Sequence, residues 1–173
     1  MSELIKHRTL WDRDRRPHVR VPTINEAMRS IEDCYCQTQQ GLAPSGLAII
    51  CKDVSEGSAA LTQFVNMHRT SQDDKGETMP ILLACVPENP TAKLMIASLL
   101  HPFGGSIAKG SSHEMMCHLQ SQITRARTRL IILYGIETIE SIFSSRDRYE
   151  LGNCLRFLVK STGVSLITIR YKH

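Results

Sequence analysis

The sequence predicts an α/β fold in three layers, with a mainly parallel sheet between two layers of helices. Two observations carry that expectation. Short, largely apolar runs at residues 46–51, 80–86, 130–134 and 164–169 recur along the chain, each a block rather than a strict apolar–polar alternation. A strand buried on both faces requires such a run. Between the runs lie segments with apolar residues at helical spacing, and strands that alternate with helices form parallel crossover units.

The elements follow in order. Residues 1–22 read as an N-terminal arm ahead of a domain spanning 23–173. Arg8, Arg13, Arg15, Arg16 and Arg20 crowd the arm, interleaved with Trp11, Asp12 and Asp14. A solvated arm and a non-specific DNA contact by Arg13, Arg15 and Arg16 both fit this composition. Thr23-Ile24-Asn25-Glu26 has the capping-box pattern. Ile24, Ala27, Met28, Ile31, Cys34 and Tyr35 then mark a helix over 24–39. Gly41 and Pro44 punctuate a linker before the first strand, 46–51.

A polar turn at 52–57 leads to a helix from about 58 to 69, and 71–78 reads as charged loop. After the strand at 80–86, Pro87 and Pro90 break the chain, and Thr91 can cap a helix running to 100. Pro102, Gly104, Gly105 and Gly110 mark a loop over 101–111, after which Ser112 can cap a helix to about 127. A last helix is expected over 149–160, before the fourth strand.

The 173 residues suffice for one compact domain, and 42% hydrophobic with 22% charged residues is ordinary for a soluble protein. No signal-type apolar run opens the chain and no apolar stretch approaches membrane length, so a cytoplasmic protein away from membranes is expected. A net charge of +4 is compatible with nucleic acid without requiring it. The six cysteines form no CxxC pair and read as reduced thiols. His113, Cys117 and His118 share a helix face, but no second cluster completes a four-ligand site, so no metal is expected. Met115 and Met116 read as packing residues, and no nucleophile elbow is present.

A strand, a polar turn and a helix opening with small residues make the scaffold of a phosphate-binding loop. That loop needs G-x-x-x-x-G-K-[ST]: glycines so that backbone amides can wrap phosphates, a lysine for charge, a hydroxyl for magnesium. The corresponding stretch is Lys52, Asp53, Val54, Ser55, Glu56, Gly57, Ser58 and Ala59. Only Gly57 matches. Ser58 stands at the lysine, Ala59 at the hydroxyl, and Asp53 and Glu56 add negative charge where a triphosphate would sit.

Several local signatures nevertheless resemble the TniB/TnsC family of AAA+ transposition proteins. Phe64 and His68 match its phenylalanine-x-x-x-histidine pattern, and Val86 with Pro87, Pro90 and Thr91 matches a segment after its second strand. Leu94, Ile96, Leu99, Leu100, Phe103 and Gly104 resemble its next helix, and Asn153, Leu155, Arg156 and Leu158 a later one. Residues 130–138 lie where the family has its Walker B segment. The resemblance covers about residues 20–170 and implies a P-loop NTPase-like, AAA+ core fold.

The departures from that family are systematic. Tyr134 and Gly135 stand at the Walker B acids, and Arg170 and Tyr171 at the family's Gly-Thr after the fourth strand. Glu137 and Glu140 follow the third strand, either as a displaced acid or as an exposed polar face. Lys109, with Ser111 and Ser112, lies in a region that faces DNA in the family's rings, and is either a phosphate contact or a surface lysine. The chain ends at His173, ahead of the family's fifth strand and helical lid, and both are expected to be absent.

The resemblance therefore implies a non-catalytic scaffold, adaptor or regulator in DNA transposition, without a cofactor. Its implied partners are an active AAA+ ATPase, a transposase or a TniQ-type targeting protein, with a homo-oligomer also open. The alternatives are an ATPase binding ATP and Mg through unconventional residues, and a DNA-binding module on a P-loop-like fold. In AAA+ relatives the strand order is 5-1-4-3-2, which leaves the strand at 47–51 on an edge here. That run is apolar and uncharged, so it needs a cover. The arm, with Leu10, Trp11, Val19 and Val21, is the expected cover, and pairing with a second chain the alternative.

Overall fold

The apolar runs pair side by side in parallel. The computed structural model describes residues 18–20, 23–51, 54–68, 71–73, 76–104, 110–140 and 144–171. The elements are β1 (His18–Arg20), α1 (Ile24–Gln39), β2 (Gly46–Cys51), α2 (Val54–Met67), β3 (Ser71–Asp73), β4 (Gly76–Thr78), β5 (Ile81–Cys85) and α3 (Ala92–Leu100). A 3-10 turn (His101–Phe103) follows, then α4 (Ser112–Arg125), β6 (Leu130–Tyr134), α5 (Glu137–Glu140), α6 (Ser145–Thr162) and β7 (Ser165–Tyr171). Five strands form one sheet in the order β1-β2-β7-β6-β5, every neighbouring pair parallel.

The period of two along each strand builds two cores. Ile131, Leu133 and Leu166 point into one, against Met95, Leu99, Leu119, Leu155 and Leu158 of α3, α4 and α6. Leu130, Ile132, Ile167 and Ile169 point into the other, against Ile31, Tyr35, Leu61 and Phe64 of α1 and α2. Residues Leu130 through Leu133 are all 0% exposed, so β6 is apolar at every position because both of its faces are covered. Burying each such side chain contributes about 1.5–3 kcal/mol. The three layers expected from the sequence are those of the structure.

The order of the four apolar runs is also the expected one, with β2, β7, β6 and β5 in series. The β2 edge is covered by the arm: His18 pairs with Ala48, Val19 with Ile49 and Arg20 with Ile50. The rest of the arm, including Arg13, Arg15 and Arg16, lies outside the described residues.

Local differences have physical causes. Helix α2 begins at Val54 rather than near Ser58, because no glycine or proline before Gly57 interrupts it. The stretch at 71–78 contains an antiparallel hairpin, β3 with β4, pairing Ser71 with Thr78 and Asp73 with Gly76. Ser111, not Ser112, caps α4 in a complete capping box with Glu114. The Ser111 N–H and hydroxyl donated to Glu114 hold its carboxyl below the usual carboxylate range. At α1 only half of the box forms, Thr23 Oγ1 accepting from Glu26 N at 3.3 Å. Helix α6 starts at Ser145 under the cap Ser144, and its C-terminus turns on Gly163 at φ 73°, a left-handed geometry that glycine adopts without strain.

Candidate functional site

In open parallel α/β sheets ligands sit outside the carboxyl ends of the strands. Here those ends carry Cys51 on β2, Tyr171 on β7, Tyr134 on β6 and Cys85 on β5. The register sets Cys51 beside Tyr171 and Cys85 beside Tyr134. Burial raises the Tyr171 pKa, and Cys51, Glu137 and Tyr134 nearby add to the rise. Burial likewise raises the Tyr134 pKa, with a contribution from Cys85. Both phenols are therefore neutral at physiological pH.

Above these ends the connection from β2 to α2 spans only residues 52 and 53. Gly57 does not sit in a loop; it lies in the first turns of α2 and is buried. A Cβ built on it would come within 3.2 Å of Tyr171 Cε1 and 3.4 Å of both Cys51 Cβ and Sγ. Its hydrogen side chain lets α2 rest directly on the strand ends. Ser58 and Ala59 are exposed, on the outer side of the helix with Thr62, Gln63, Asn66 and Met67. Lys52 and Asp53 lie outside the described residues, and Val54, Ser55 and Glu56 are described as helical backbone.

Gly135 follows β6 at φ 76°, and a Cβ there would lie 3.5 Å from Cys85 Sγ. The position demands glycine for backbone reasons, and an acidic residue would carry left-handed strain of about 1–3 kcal/mol. Glu137 is not the exposed polar face that was one expectation for it. It is half-buried, and its Oε1 accepts a hydrogen bond from the Tyr171 backbone N–H. This contact ties the start of α5 to the end of β7.

No motif signalled the meeting of Tyr171 and Gly57. The one hint was that the surviving glycine of the loop lacked every companion it would need for phosphate. The Phe64 and His68 pair does come together: the His68 ring packs tilted against both neighbours, its centroid 4.7 Å from that of Phe64 and 4.5 Å from that of Tyr35. His68 Nε2 also lies 3.3 Å from Glu32 Oε2, so the pattern links α2 to α1. His113 Nε2 is 3.8 Å from Cys117 Sγ, both exposed, while His118 contacts Gln122 instead. Among the described residues no group of three or more His, Cys, Asp and Glu has the geometry to hold a metal ion. Cys154 is half-buried against the core, and that burial pushes its thiol up to about 11. Lys109 lies outside the described residues. No described helix is long and apolar enough to cross a membrane.

The family model described as Bacterial TniB protein matches residues 12–171. No curated protein matches the chain.

Proposed function

Since the chain belongs to the TniB family, whose members are transposition-associated AAA+-like proteins, we propose that it serves DNA transposition without hydrolysing ATP, as a scaffold, adaptor or regulator. The observation that supports this most is the seating of α2. A phosphate loop presents its amides around a wide turn, with a lysine and a hydroxyl facing the phosphates. In this chain helix starts at Val54, Gly57 rests on Tyr171, and Ser58 and Ala59 face solvent.

The described strand ends carry Cys51, Cys85, Tyr134 and Tyr171 rather than a lysine or an acid, and the nearby Glu137 carboxylate accepts from the Tyr171 N–H. Phosphoryl transfer depends almost wholly on positioning and electrostatic stabilisation of phosphate and magnesium. Tyr134 and Gly135 provide no acid, and a side chain at Gly135 would carry left-handed strain. The expected result is no magnesium-dependent ATP turnover above that of a Ser58→Trp control in a phosphate-release assay. Turnover well above the control would remove this reading and favour the alternative of an unconventional ATPase.

The partners inferred are other transposition proteins: an active AAA+ ATPase, a transposase or a TniQ-type targeting protein. DNA contact is inferred to be weak, non-specific and made by the arm. Replacing Arg13, Arg15 and Arg16 with alanine should then weaken binding to a DNA duplex and flatten its salt dependence, by roughly one unit of log–log slope for each arginine that meets a phosphate. Equal affinity and slope in the two proteins would exclude the arm as the DNA-binding element.

A further inference from the structure

Helix α4 sets two metal-ligating side chains side by side on its outer face. Met115, Met116, Leu119 and Ile123 bury the inner face. His113 and Cys117 stand on the exposed side, and side chains at i and i+4 are neighbours on a helix surface. His113 Nε2 lies 3.8 Å from Cys117 Sγ. The incomplete ligand set is the reason to expect no metal from the sequence, but this distance has a meaning of its own. A tetrahedral zinc ion, with Zn–N of about 2.0 Å and Zn–S of about 2.3 Å, holds its nitrogen and sulfur ligands about 3.5 Å apart. At the observed 3.8 Å, bonds of those lengths meet at an angle of about 120° at the metal. A cation fits between the two atoms with almost no movement of either side chain.

The pair is held ready by the helix that carries it. Both residues lie in the first two turns of α4, whose start is fixed by the capping box of Ser111 and Glu114. Ligands four residues apart on one helix face are the spacing used by zinc-binding helices. In hydrolytic versions of such a helix, the glutamate after the first ligand serves as a general base. Glu114 stands at that position, but its Oε2 accepts from the Ser111 N–H at 2.7 Å and from the Ser111 hydroxyl at 2.9 Å. It is engaged as a cap, so the geometry offers binding and not hydrolysis. His118 contacts Gln122 and takes no part.

We propose that His113 Nε2 and Cys117 Sγ chelate one soft divalent cation of the zinc class on the surface of α4. The thiol releases its proton to solvent and binds as the thiolate, and the imidazole binds as the neutral ring. Thiolate with imidazole favours zinc over magnesium and calcium, which take oxygen ligands. Among the described residues no third ligand joins the pair, so two coordination positions stay open to water or to a donor from another molecule. Binding is correspondingly weaker than at a four-ligand structural site. The site uses none of the strand-end residues, and it stands independently of the non-catalytic reading because it involves neither nucleotide nor magnesium.

Cobalt(II) is the probe, because a thiolate bound to it gives a charge-transfer band in the near ultraviolet. Titrating cobalt chloride into the full, reduced chain should raise this band to an end point of one equivalent per chain. Zinc should abolish the band, and excess magnesium should leave it intact. Cys117→Ala should remove the band, and His113→Ala should weaken binding by about tenfold or more. His118→Ala should leave the affinity unchanged. Circular dichroism on each variant verifies that the fold is kept. A full chain that shows no band overturns the proposal. So does a band undiminished in Cys117→Ala, or an affinity unchanged in His113→Ala. An end point at half an equivalent, with two chains sharing one ion, overturns the open two-ligand site.

Discussion

Deleting residues 1–22 is expected to convert a well-behaved chain into one that self-associates. The deletion removes β1, whose residues His18–Arg20 pair with Ala48–Ile50 of β2. Removing a few ladder hydrogen bonds, each about 1 kcal/mol net, is modest in stability. The larger effect is on association. The bared edge belongs to Gly46–Cys51, a run without a charge or a proline, and an unpaired apolar edge is a template for another strand. Light scattering and sedimentation report the edge alone. A truncated chain with the mass distribution of its parent would mean that the β1–β2 pairing does not protect the sheet.

Replacing Gly57 with leucine is expected to be the most damaging single change near the strand ends. Alanine at this position gains about 1 kcal/mol in helix propensity, but its Cβ lies 3.2 Å from Tyr171 Cε1, and the two effects nearly cancel. Leucine adds further carbons where the Tyr171 ring already stands. Overpacking of this kind costs about 1–3 kcal/mol, or roughly 2–12 °C in Tm for a chain of this size. Tyr171→Ala in the same chain makes room for the leucine, so the pair of changes should destabilise less than the sum of the two alone. Thermal unfolding of the four proteins in that cycle measures the coupling. Strict additivity would show that helix and ring do not share the space.

Much of this fold was legible because its strands are buried on both faces. Leu130 to Leu133 are apolar in unbroken series for that reason. The four apolar strands could be located from such runs, and the family resemblance supplied their order. The exposed edge at 46–51 was legible too, since an apolar run on the outside needs company. What escaped was decided by contacts rather than by pattern. The β3–β4 hairpin is polar and short, with no alternation to read. The first turn of α6, Ser145 to Arg148, shows only charge and hydroxyls, so apolar spacing alone places the start of the helix too late. At the site, the replaced loop and strand-end residues could be read off one by one. That Tyr171 rests on Gly57, and that Glu137 holds the end of β7, could not. Both depend on residues more than thirty positions apart meeting at one edge.

The place of β7 in the sheet has a consequence for biosynthesis. Ser165–Tyr171 is the last described strand to leave the ribosome, yet it lies between β2 and β6 and bridges the β1–β2 pair and the β5–β6 pair. Until residue 165 and those after it emerge, Leu130 and Ile132 on one side and Leu47 and Ile49 on the other have no strand between them, and only helix α1 touches both. A nascent chain of this protein must therefore wait with two separate parallel ribbons, each too small to hold on its own. Translation stalled at that stage would hand chaperones an open seam, and the arrival of β7 would close it in a single step.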